Sequence, residues 1–200
     1  MSGQSSFIEI DADTEIQKII GQLDGLRNQI GAPKLLKNAL NSTARKVRKQ
    51  FVKDAQGRYA VKDKSIFKKE DQGAPKLYTA SPASLTATIA SKGPMQDIMS
   101  FLTRPNMGTG AAAAQVLNSG SLKPLELEGL KAFVTRFASG HVAIVQRRGP
   151  ERLPVKKLLS PSVPHMLGNE EVREQAEEMA YEILQSEIDR QIQRVFARAA

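Results

Sequence analysis

Two histidines, His141 and His165, are the only imidazoles in the chain, and neither stands at a metal-ligand spacing from another ligand type. His141 comes after a Ser139-Gly140 turn, where it reads as a turn residue or a hydrogen-bonding group on a sheet face. Gly108-Thr109-Gly110-Ala111-Ala112-Ala113 satisfies G-x-G-x-x-A on paper. The dinucleotide fingerprint works because its glycines let backbone amides approach a pyrophosphate at a helix N-terminus. It therefore needs a strand before it, a long helix after it and an acid about 20 residues on. Here Arg104-Pro105-Asn106 precedes the glycines and Gly120 cuts short any helix after them, so the segment reads as a loop entering a strand. Asp11-Ala12-Asp13 lacks the glycine and distal glutamate of a calcium loop. Acids ahead of a helix are the ordinary reading there. There is no phosphate-binding P-loop, no G-x-S-x-G elbow and no cysteine. No catalytic residue, cofactor-binding residue or metal ligand is expected, and the reading is of a protein that is not an enzyme.

The stronger chemical signal is charge. The chain carries 29 Lys+Arg against 21 Asp+Glu, a formal net charge of +8. That balance suits an acidic partner, which could be nucleic acid, a membrane surface or an acidic protein, and an ordinary basic protein is the alternative. Between Pro33 and Lys69 there are twelve Lys/Arg and two acids, Asp54 and Asp63. Lys37, Arg45, Lys49 and Lys53 fall on one i+4 row, so a helix there would set a basic face beside an apolar one. Such a face can meet phosphates or an acidic protein, and a solvated helix face is the plainer alternative. A second cluster, Arg147, Arg148, Arg152, Lys156 and Lys157, precedes a proline-bearing segment. A stiffened segment has already lost chain entropy, so ordering it on a partner costs less.

Those side chains need elements to hold them. Thr14-Glu15-Ile16-Gln17 has capping-box spacing, and Ile16, Ile19, Ile20, Leu23, Leu26 and Ile30 recur at helical period up to Gly31. A second helix is expected from Pro33 to Gln56, ended by Gly57, with Leu36, Leu40, Ala44, Val47 and Phe51 on one face. Lys62 to Glu70 suits one more short helix, and Asp71 to Pro82 reads as a loop. Ser84 to Ser91 alternates as a half-buried strand does, and Ala112 to Asn118 suits a second. Lys131 to Phe137 and His141 to Arg147 form the clearest strand pair. Asn169 is the expected cap of a last long helix whose core face is Val172, Ala176, Met179, Ile183, Ile188, Ile192 and Val195. Its early Glu170, Glu171 and Glu174 and its late Arg190, Arg194 and Arg198 suit the helix dipole without any ligand.

The order of helices, strands, then a helix predicts α+β: N-terminal helices, an antiparallel sheet of about four strands and a long C-terminal helix. One domain over residues 1–200 is expected, with residues 1–13 a flexible segment and 150–168 an extended arm. Pro150, Pro154, Pro161 and Pro164 forbid helix interior or central strand in that arm. The opening residues lack a basic region leading into an apolar run, so no signal peptide is expected. No apolar run reaches the ~20 residues of a membrane span, and no membrane partner is expected.

Several segments carry a resemblance. Asn41-Ser42-Thr43-Ala44-Arg45 in a basic helix, then Arg58-Tyr59, resembles the opening half of the phage minor tail protein Z family of tail-completion proteins. Ala132-Phe133-Val134 and Ser139-Gly140-His141-Val142 are similar to that family's central strand pair. Leu153-Pro154-Val155-Lys156-Lys157-Leu158, and after it Pro161-Ser162-Val163-Pro164-His165-Met166, is its most specific feature. The resemblance covers roughly residue 39 to the end and is weakest over residues 1–35 and 106–115. It implies a virion component at the head-proximal end of the tail, made in the host cytoplasm, that prepares the tail for head joining and DNA positioning. It further implies a homo-oligomeric ring, hexameric like the tail, with the tail terminator, tape-measure protein and head–tail connector as neighbours and DNA contact in the lumen. Within that frame Arg148, Arg152, Leu153, Lys156, Lys157, Pro161, Val163, Pro164 and Met166 form an inter-subunit arm, and Lys37, Arg45, Lys49 and Lys53 contact DNA or an acidic partner. The alternative is a free nucleic-acid-binding protein that uses the basic helix 33–56.

Overall fold

A computed structural model describes residues 4–11, 32–104 and 111–199. The helix expected from Thr14 to Gly31 and the glycines Gly108 and Gly110 lie outside the described residues. The protein is α+β, with a long C-terminal helix. The sequence suggests one domain; in the fold the chain divides into two compact units. One holds Asp54–Ala74 and Gly93–Met166; the other holds Ser5–Lys53, Pro75–Lys92 and Leu167–Ala200.

Among the described residues, the second unit holds two long helices and a small sheet. Helix α1, Ala32–Arg58, buries Leu36, Leu40, Ala44, Val47 and Phe51 as its period predicts, and runs through Gly57 before it stops. Helix α3, Glu170–Ala199, buries Val172, Ala176, Ala180, Leu184, Glu187 and Ile188. This differs from the expected face: Met179, Ile183 and Ile192 are only half-buried, and Ala180 and Leu184 replace them. Asn169 stands at the expected cap position, and its carbonyl accepts from Arg173 N–H at 2.9 Å. Its side-chain Oδ1 is buried without a partner. The sheet has the order β1 (Gln4–Asp11), β3 (Thr86–Gly93), β2 (Lys76–Tyr78). Residues 4–11 are therefore strand rather than a loose leader, and the expected loop Asp71–Pro82 contains a strand. Strand β3 alternates as expected, with Ala87, Ile89 and Ser91 buried.

The first unit is a set of small antiparallel sheets instead of one sheet of about four strands. Strands β4 (Gln96–Asp97), β5 (Leu102–Arg104), β6 (Ala113–Gln115) and β7 (Lys123–Pro124) come first in sequence. Next come β8 (Glu126–Leu127), β9 (Leu130–Lys131), β10 (Phe133–Arg136), β11 (Val142–Arg147), β12 (Val155–Lys157) and β13 (Leu159–Ser160). The sheets are β5-β6-β7, β8-β9, β10-β11-β12 and β13-β4. The expected strand Lys131–Phe137 is broken at Ala132, whose N–H donates to Leu125 O and whose carbonyl accepts from Ala112 N–H, both at 2.8 Å. Ala132 thereby moves the chain from one sheet to the next. Ile98, Ala112, Ala114, Ala132 and Ile144 form the core under these sheets. In place of the one short helix expected over Lys62–Glu70 there are tight 3-10 turns, Lys64–Lys68 and the start of Glu70–Gln72.

The proline segment is the largest departure. It does not leave the fold as an extended arm. Val155–Lys157 pairs with β11, with Gln146 opposite Lys156. Leu159–Ser160 pairs with β4. Val163–Leu167 is a short helix, α2, in which Pro164 occupies the first turn, where proline is tolerated. Ser162 Oγ caps it by accepting from His165 N–H at 3.2 Å. Val163, Pro164 and Met166 are buried, and Pro161 is half-buried. Gly73 has φ +100 and lies so close that a Cβ there would meet Pro164 Cδ at 2.9 Å. Prolines exclude the centre of a sheet; they do not exclude an edge strand or a first helical turn.

Candidate anion-binding site

Helix α1 carries Lys34, Lys37 and Arg45 in its first half, and α3 carries Arg190 and Arg194 one turn apart near its end. A buried hydrogen-bond set fixes α1 locally. Asn41 Nδ2 donates to Ala80 O at 3.0 Å, and Ala80 N–H donates back to Asn41 Oδ1 at 2.8 Å. An ionic set joins α1 to α3. Lys46 Nζ donates to Glu187 Oε1 at 2.6 Å, and Arg190 Nε donates to Glu187 Oε2 at 3.1 Å. Arg190 Nη2 donates to the same oxygen and also reaches Ser42 Oγ at 3.4 Å.

Glu187 is only 2% exposed. Burial pushes its carboxyl up, while hydrogen bonds from Lys46, Arg190 and Ser42 and the Lys46 charge together outweigh burial and hold it below the ordinary value. The carboxylate is therefore charged at neutral pH and acts as an anchor for Arg190.

Arg190, held by this anchor, and Ser42 line a cavity of about 580 Å³. Lys34, Lys37 and Arg45 face it from α1, and Arg190 and Arg194 from α3; Leu35, Asn38, Asn41, Ser42 and Gln191 complete the wall. No carboxylate and no aromatic ring lines it among the described residues. The volume is that of a small-molecule site, but the wall is polar and cationic where such sites are usually apolar. The wall is made of five cations with amide and hydroxyl side chains, an electrostatic complement to an anion.

The expected basic row is thus split. Lys37 and Arg45 face the cavity, while Lys49 and Lys53 are exposed farther along α1 and do not line it. For Arg190 and Arg194 the sequence offers only the helix dipole. Their i,i+4 spacing is visible there, but their meeting with α1 is not. Of the second cluster, Arg148 and Arg152 are exposed in the turn after β11 and Lys156 is half-buried in β12; the neighbouring Leu153 is 69% exposed. Lys157 pairs with Asp97 at 2.7 Å and lies 3.4 Å from His141 Nε2. His141 itself stacks on Phe137, with ring centroids 6.3 Å apart. Arg147 sits over the Phe133 ring, 5.7 Å from its centroid. His165 is exposed on α2. Ala113–Gln115 is strand, not the helix that a dinucleotide fingerprint needs.

No protein-family model matches the chain, and no curated protein or solved structure matches it.

Proposed function

We propose that this chain is a structural, non-enzymatic tail-completion protein at the head-proximal end of a phage tail, where it forms a ring that prepares the tail for head joining and DNA positioning. The observation that carries the reading is the order L-P-x-K-K then P-S-V-P-x-M, between a strand pair and the final long helix. In the fold these motifs come after β10 and β11: the first carries β12 and the second α2, with β13 between them, directly before α3. A ring requires each subunit to hold the next. Strand β12 is an edge of its three-stranded sheet, and Leu153 and Leu159 beside it are 69% and 42% exposed. An open edge flanked by exposed leucines is suited to strand addition by a neighbour. This replaces the free arm as the inter-subunit surface, since Val163, Pro164 and Met166 are committed to the chain's own interior. The hexameric ring, the tail terminator, tape-measure protein and connector as neighbours, and the virion location belong to the same proposal.

The test is immunogold electron microscopy on particles from the source culture. Label at one point, at the head-proximal end of tails, supports the reading. Particles without label, with the protein free and bound to DNA, overturn it.

A second reading, a nucleic-acid-binding protein acting through α1, is favoured by one observation. Arg45, Lys49 and Lys53 are exposed along a single helix row. Its mark would be DNA affinity that falls steeply with salt, with a logarithmic slope of about 0.9 per neutralised phosphate.

A further inference from the structure

We propose that the cavity bounded by α1 and α3 is a binding site for a phosphate-bearing anion, held by Lys37, Arg45, Arg190 and Arg194. The inference goes beyond both readings above, because it concerns a defined cavity rather than an assembly or an open helix face. Five cationic side chains converge on one concave volume with no carboxylate among the described lining residues. Like charges gathered around one concave volume raise its local positive potential, and a multiply charged anion is the ligand such a wall favours. Arg190 is already oriented before any ligand arrives, because Glu187 and Ser42 hold its guanidinium. Glu187 is thus a positioning residue for the site. Guanidinium groups match phosphate oxygens in a planar, paired geometry that lysines alone do not provide.

The wall also says what is not recognised. It has no aromatic ring on which a base could stack. Its neutral members Asn38 and Gln191 offer amide donors suited to phosphate oxygens. The volume exceeds what a single oxyanion fills. The ligand class is therefore a chain of phosphates, and its source is either a free polyphosphate or the backbone of a nucleic-acid strand.

The experiment titrates the full chain with tripolyphosphate by calorimetry and with labelled oligothymidine by fluorescence anisotropy. It compares wild type with Arg45→Ala, Arg194→Ala and the outside control Lys49→Ala/Lys53→Ala, each checked by thermal melting. Tripolyphosphate should bind wild type, and each cavity variant should lose about tenfold in affinity, as expected for one hydrogen bond to a charged group, while the control keeps wild-type affinity. Oligothymidine binding that falls in the same variants identifies strand backbone as the occupant. Oligothymidine that ignores them, while tripolyphosphate does not, identifies free polyphosphate. The proposal is overturned if neither probe binds wild type, or if the cavity variants bind both probes as wild type does. Oligothymidine binding lost only in the control variant, with the cavity variants unchanged, would support the open helix face in its place.

Discussion

Lys46 Nζ lies 2.6 Å from Glu187 Oε1, an exposed cation reaching a carboxylate that is almost fully buried. The two ends of this pair are not equivalent. Lys46 and Arg190 keep access to water, with side chains 56% and 45% exposed, whereas Glu187 does not. Removing a cation leaves a buried charge short of a partner. Removing Glu187 leaves two cations that can be hydrated.

Stability should therefore respond asymmetrically. Lys46→Met should cost about 1.5–3 kcal/mol, the range for a hydrogen bond to a charged group. The pair Lys46→Met/Arg190→Met should cost about 3–5 kcal/mol, since it strands the carboxylate. Adding Glu187→Met to that double variant should recover most of the loss, because an apolar side chain of similar volume suits the site. Urea unfolding of the four proteins decides it. If Glu187→Met fails to rescue, the cations stabilise by packing and not by satisfying the buried charge.

Acid sensitivity should arise from the same carboxylate. Its ordinary value is 4.5, and in the fold it is lower, because the hydrogen bonds and cations outweigh burial. A group with a depressed folded pKa contributes stability that is complete above the unfolded value and is lost as pH falls through the folded one. Wild type should thus lose stability on acidification below about pH 4.5, and Glu187→Gln should show a flatter profile there. Asp63 is likewise drawn down, to about 2, by hydrogen bonds from Ser65 and by Lys69. Its contribution shares the sign. Chemical denaturation across the acid range, with Glu187→Gln beside wild type, checks the assignment; identical slopes would contradict it.

The proline segment separates fold from assembly. Met166 is fully buried and Leu153 is 69% exposed, although both lie in the motif region. Met166→Ala should lower stability by about 2–5 kcal/mol through lost burial and a residual cavity. Leu153→Ala should stay within about 0.5 kcal/mol of wild type in the monomer, as an exposed site does. If β12 and Leu153 form a ring contact, Leu153→Ala should nevertheless weaken self-association or tail incorporation. Thermal melts together with sedimentation at rising concentration separate the two effects. A large stability loss in Leu153→Ala would place that leucine in the fold rather than at an interface.

The range of the forces involved decides how much of the fold is legible in the sequence. Helix α1 can be read because Leu36, Leu40, Ala44, Val47 and Phe51 repeat within one local period. Strand β3 can be read from its alternation. The buried face of α3 is easily misjudged because Glu187 sits in it, and a charge at a core position breaks the apolar pattern from which faces are read. Strand β2 is hidden in a stretch with Gly73 and Pro75, since its pairing with β3 is tertiary. The cavity depends on two helices far apart in sequence, so Arg190 and Arg194 suggest only a local explanation. The prolines rightly exclude central strands, but edge pairing and a first helical turn remain open to them.

The hairpin β8–β9 holds a glutamate in a backbone conformation it disfavours, and it gives the last test. Leu127 pairs with Leu130, leaving Glu128 and Gly129 as the two loop residues. Both have positive φ, 54° and 73°, as a type I′ turn requires. Glycine adopts this freely, but a glutamate does so at a cost of about 1–2 kcal/mol. Glu128→Asn should relieve part of that cost and raise stability by about 0.5–1 kcal/mol, because asparagine tolerates the left-handed region and Asn-Gly is the favoured pair. Gly129→Ala should act in the opposite direction: its Cβ would meet no atom within 4 Å, so only the φ of +73 would penalise it. The two substitutions together form an internal control. A melt in which Glu128→Asn is neutral and Gly129→Ala is also neutral would mean that the turn does not hold this conformation in solution.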